Sequence, residues 1–99
     1  MPSAQERKVY AVAEITAAIR RILEDAFGPV WIEGELSNTH LHRSGHLYCT
    51  LKDDRAQIRG AMFRSARRGL AFEPRDGLRV RVYGEIGVYA PRGEYQVII

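Results

Sequence analysis

The 99 residues, 45% hydrophobic and 27% charged, suffice for one domain around a single small core and exclude a second core. No apolar run approaches a bilayer span, and residues 1–8 lead into no apolar stretch of the secretory kind, so a cytoplasmic protein with no membrane partner is expected. The lone Cys49 excludes an internal disulfide, and a net charge of +3 concentrated in the arginine-rich second half points to an anionic partner.

In chain order, residues 1–11 read as a flexible lead-in and residues 12–99 as the folded domain. Val12, Ile15, Ile19, Ile22, Leu23, Ala26 and Phe27 fall on one helical face, and Gly28-Pro29 stops the helix. Its other face mixes Glu14, Glu24 and Asp25 with Arg20 and Arg21, which suits packing on the domain better than lying on a membrane. After Pro29 the period becomes two. Val30, Ile32, Gly34 and Leu36 alternate with Trp31, Glu33, Glu35 and Ser37 in a first strand. Trp31 faces outward beside the helix and is expected to pack against Ile19 or Leu23.

Leu47, Cys49 and Leu51 alternate with His46, Tyr48, Thr50 and Lys52 in a second strand, which the polar turn Asp53-Asp54 joins to a third over residues 56–63. Residues 64–69 are short enough for one or two helical turns. Leu78, Val80, Val82, Gly84, Ile86 and Val88 mark a long fourth strand, and a turn over residues 90–94 leads to a fifth over residues 95–99. Gly34 and Gly84 are read as bends or bulges that curve the sheet. The pattern predicts a mainly β protein, a five-stranded OB-fold barrel preceded by one amphipathic N-terminal helix.

Alternation places His46, Tyr48 and Lys52 on the same face as Arg59 and Phe63 across the hairpin. Aromatic rings stack on bases and guanidinium groups hold phosphates, so these residues with Arg64 form a candidate surface for a single nucleic-acid strand. Tyr89 and Arg92, with Tyr95, flank it from the turn between strands four and five, and His40, His42, Arg43 and Ser44 from the loop between strands one and two. Phe63 has a competing reading as core beneath residues 64–69. His40, His42, His46 and Cys49 lack the paired spacing of zinc ligands, and no Walker loop or nucleophile triad is present. The expectation is therefore no metal, no cofactor and no catalytic residue.

Four strings carry a resemblance: residues 30–38 (VWIEGELSN), 45–53 (GHLYCTLKD), 61–64 (AMFR) and 89–96 (YAPRGEYQ). In this order they resemble the N-terminal domain of the large subunit of bacterial exodeoxyribonuclease VII. The resemblance implies a domain that holds single-stranded DNA for a nuclease degrading it to oligonucleotides. It also implies that hydrolysis, and the contact with a small helical subunit, belong to a later region absent here. The sequence departs from the family at Cys49, Gly60 and Ala13, where an aromatic, a larger residue and a helix-capping hydroxyl are usual. Two other readings stay open, an anticodon-binding OB domain of aminoacyl-tRNA synthetase type and an OB barrel that docks protein.

Overall fold

The change of hydrophobic period at Gly28-Pro29 is where helix gives way to sheet. The computed structural model describes residues 7–99, with α1 (Val12–Phe27), β1 (Pro29–Leu41), β2 (Leu47–Lys52), β3 (Gln57–Met62), the one-turn α2 (Arg64–Arg67), β4 (Arg79–Tyr89) and β5 (Glu94–Ile98). The lead-in expected over residues 1–11 falls partly on residues 1–6, outside the described residues. Residues 7–11 are exposed.

The cap of α1 is Ala11, so Ala13 lies inside the helix rather than at its cap. Its first turn is closed from one side by Glu14, whose Oε1 accepts the Ala11 N–H at 2.9 Å, while the alanine methyl offers no acceptor to the N–H groups that follow. Gly28, at φ 54, donates its N–H to the Glu24 carbonyl and ends the helix.

The strands close into a ring in the order β1-β2-β3-β5-β4, antiparallel except where β3 and β5 run parallel. Inward residues form the core: Leu36 from β1, Cys49 and Leu51 from β2, Val82 and Ile86 from β4, and Val97 from β5. Burial pushes the Cys49 thiol pKa up, and the charge of Asp76 adds to the effect. Cys49 and Gly60 are direct cross-strand partners. A Cβ at Gly60 would lie 2.9 Å from the Cys49 sulfur, so Cys49 and Gly60 form one packing pair.

Three expectations need correction. The apolar stripe of α1 is only partly covered. Leu23 packs on the core, whereas Ile22 stays exposed and Ile19 and Phe27 line, still exposed, a hollow of ≈ 790 Å³ between the helix and the strands. Trp31 is 69% exposed and meets Tyr83, its cross-strand partner, at 5.0 Å between ring centroids. It lines the same hollow as Ile19 and Leu23 without being buried against them, its ring standing beside that of Tyr83, which projects from the same face of the sheet.

Gly34 and Gly84 mark no bulge, since β1 and β4 pair without a break from Pro29↔Glu85 to Glu35↔Arg79. Both positions permit close approach. A Cβ at Gly34 would lie 3.1 Å from the Lys52 carbonyl oxygen, and one at Gly84 would strike the backbone of Ile98. The register shift falls between Ser37 and His40, around Asn38 at φ 49.

That bulge is held by Asp76. Its Oδ1 accepts from the Thr39 N–H at 2.8 Å and from the Thr39 hydroxyl at 2.6 Å, while Gly77 N–H and Leu36 N–H bond Leu36 and Leu78 carbonyls respectively, each at 2.8 Å. The Thr39 hydroxyl, then its amide, hold the Asp76 carboxyl below the ordinary aspartate range. A folded pKa lowered below the unfolded one gives stability that is complete above the unfolded value and is lost as pH falls through the folded value. Asp76→Asn should therefore lower stability at neutral pH and flatten the acid limb of a urea-midpoint against pH curve. An unchanged acid limb would show that Asp76 does not contribute to it. Part of that limb remains in the variant, because Arg81 and Arg79 likewise lower Glu33, and backbone N–H groups of Arg55 and Ala56 lower Asp53.

Candidate nucleic-acid interface

Strand pairing assembles the outer face. Tyr48 on β2 stands between His40 on β1 and Ala61 on β3, and Ala61 is followed across the sheet by Ile98 on β5. One step along, Thr50, Arg59 and Gln96 form the next row. Because the bulge inserts one extra residue in β1, His40 stands beside Tyr48. His40 is thus part of β1, not of the following loop.

On this face lies a hollow of ≈ 380 Å³ lined by Tyr48, Arg59, Gly60, Ala61, Phe63, Tyr89, Arg92, Gln96 and Ile98. Ala61 points outward by alternation yet is 5% exposed, which makes its methyl the floor between larger neighbours. Phe63 is 46% exposed and leans on His46, with ring centroids 5.1 Å apart, so it is not core. Tyr48 meets His42 edge-on at 6.3 Å. Three aromatic rings, Tyr48, Phe63 and Tyr89, therefore surround one floor together with two guanidinium groups.

The remaining candidates stand apart from the hollow. His46 Nδ1 accepts the Arg64 N–H at 2.9 Å, which assigns the ring proton to Nε2 and gives His46 the work of starting α2. The Arg64 side chain lies over Gly45, where a Cβ would come 2.6 Å from its Cδ. Arg67 Nη1 donates to the Gly45 carbonyl at 3.5 Å, so both arginines rest on the turn between β1 and β2. Lys52 pairs with Glu35 at 3.7 Å and lies about 13 Å along β2 from Tyr48. Tyr95, in the opposite phase of β5, lines the hollow beside α1.

Arg59 has a competitor for its charge: Glu94 lies 3.4 Å away in an exposed pair. Exposed pairs are worth about 0–1 kcal/mol, so Glu94→Gln should tighten binding of a polyanion by up to about fivefold and steepen its salt dependence. Unchanged affinity and slope in a fluorescence titration would show that Glu94 does not compete with phosphate for Arg59. Among the described residues, no group of three His, Cys, Asp or Glu is placed to hold a metal ion, and no helix is long and apolar enough to cross a membrane. Asp53 serves its turn, accepting from Arg55 and Ala56 amides at 2.8 and 2.9 Å.

The family described as OB-fold nucleic acid binding domain matches residues 10–99. The chain belongs to this OB-fold family. The resemblance read from four strings extends over the whole chain. The Exodeoxyribonuclease 7 large subunit of Halothermothrix orenii is 48% identical over 96 residues, covering 95% of this chain and 24% of that protein. The proteins of the same name in Geobacter sulfurreducens and Enterobacter sp. strain 638 are 50% and 46% identical, covering 95% and 100% of this chain. The chain spans about a fifth to a quarter of the length of these relatives.

Within this OB-fold domain, reading by residue type missed Gln96 and Ile98. Gln96 lies in the fourth family-like string, but only the parallel pairing of β5 with β3 brings it beside Arg59. Nothing local in the sequence signals that pairing.

Proposed function

We propose that this chain holds single-stranded DNA for a cytoplasmic exodeoxyribonuclease VII, on the outer face of β2, β3 and β5. The observation that carries the reading is the gathering of Tyr48, Phe63 and Tyr89 with Arg59 and Arg92 around one hollow. Unpaired bases offer π-faces to the rings, and the backbone offers phosphates to the guanidinium groups. Duplex bases are stacked on each other and cannot reach the rings. The chain is a binding module, with hydrolysis and the small subunit contact assigned to the longer protein.

The test is a titration of labelled single-stranded DNA, single-stranded RNA and duplex DNA at two salt concentrations, with a gel assay of strand integrity in magnesium. Tighter binding of single-stranded DNA than of duplex, without loss of the strand, is expected. Tighter binding of RNA would favour the anticodon-type reading, and binding to none would favour a protein partner. Arg59→Ala should lower the slope of log affinity against log salt by about 0.7 for each phosphate contact removed. A parent-like slope would place the phosphates elsewhere.

A further inference from the structure

We propose that Gln96 hydrogen-bonds the edge of a nucleobase seated in the hollow, making it the residue through which this surface contacts bases as well as stacking on them. The inference rests on the reading that the hollow receives a single strand. Gln96 is half-buried on β5 and lies in the hollow's lining with Tyr48, Phe63 and Tyr89. Its cross-strand neighbours are Arg59 on β3 and Gly87 on β4. Arg59 is engaged by Glu94, and a Cβ at Gly87 would meet nothing within 4 Å. The glycine thus leaves open space on one side of the amide. Among the described residues, the side-chain hydrogen bonds nearby run between Arg59 and Glu94 and between Arg64 and His46, and none engages Gln96.

The chemistry of the amide sets what it can recognise. It is uncharged, so phosphate is better served by Arg59 and Arg92 beside it. It carries both a carbonyl acceptor and an NH₂ donor, and each base edge presents donors next to acceptors. Rotation by half a turn exchanges the two groups. Gln96 can therefore serve different bases, which suits a domain that holds strands of any sequence. Its contribution should depend on a base being present rather than on which base it is.

The experiment compares parent, Gln96→Ala and Gln96→Leu chains on a labelled thymidine oligomer and on an abasic oligomer of equal length. Circular dichroism and thermal melts establish that the variants are folded. The inference expects both variants to bind the thymidine strand roughly three- to tenfold more weakly, the scale of one net hydrogen bond. Their affinity for the abasic strand and their salt slopes should match the parent. Equal losses on both strands would mean that Gln96 acts on the backbone or on the fold, and no loss on thymidine would mean that it contacts nothing. Either result overturns the proposal while leaving the single-strand reading intact. A parent chain that binds neither strand, or both equally, would overturn that reading and Gln96 with it.

Discussion

Replacing Tyr48 by Ala is expected to weaken binding to a single strand by about 1–3 kcal/mol while leaving the salt slope near the parent value. The magnitude follows from base-to-aromatic stacking, and the unchanged slope from the lack of charge on the phenol ring. Tyr48 is the central ring of the outer face, flanked across the sheet by His40 and by the low floor of Ala61. Its loss leaves Phe63 and Tyr89 as the remaining aromatic rings of the hollow. Fluorescence anisotropy at several salt concentrations separates this signature from that of Arg59→Ala, which should alter the slope. If a folded Tyr48→Ala chain binds like the parent, stacking takes place elsewhere and Tyr89 and Arg92 become the positions to vary.

Gly84→Ala is expected to produce the largest loss of stability. The new methyl would strike the Ile98 carbonyl oxygen and lie 2.9 Å from both the Ile98 carbonyl carbon and a Val97 methyl. Two of those three atoms are backbone, so relief requires β5 to move as a strand. Overpacking of this kind costs about 1–3 kcal/mol and at times more, which for a domain of this size lowers Tm by roughly 4–20 °C. β5 also carries Val97, the most buried residue of the core, and Gln96 on the outer face. Binding should therefore weaken along with stability. Gly87→Ala on the same strand is the control, because its Cβ meets nothing within 4 Å and its melting temperature should stay near the parent. Similar melting of the two variants would contradict the close-approach account of Gly84.

The parity of β2 and β3 was legible because the hairpin between them is local: Leu47, Cys49 and Leu51 alternate cleanly, and Asp53 closes the turn with its own carboxylate. That alone placed Tyr48 and Arg59 on one face. The β1 bulge was not legible, since it depends on Asn38 at positive φ and on Asp76, which lies 37 residues beyond Thr39 in the chain. Charge pairing was equally hidden. Lys52 is a plausible phosphate contact by residue type, but the register of β1 against β2 sets it opposite Glu35. The stripe on α1 shows the limit of periodicity: it says which residues share a face, not whether a partner covers that face.

The most direct measurement is an NMR titration of ¹⁵N-labelled chain with a short thymidine oligomer. The account predicts that amide shifts concentrate on β2, β3 and β5 and on the turn after β4, with Tyr48, Arg59, Ala61, Arg92 and Gln96 among the most affected. The outer face of β1 and β4 around Trp31 and Tyr83 should stay unmoved. Shifts centred on Trp31 and Tyr83, or none at a saturating oligomer concentration, would contradict it.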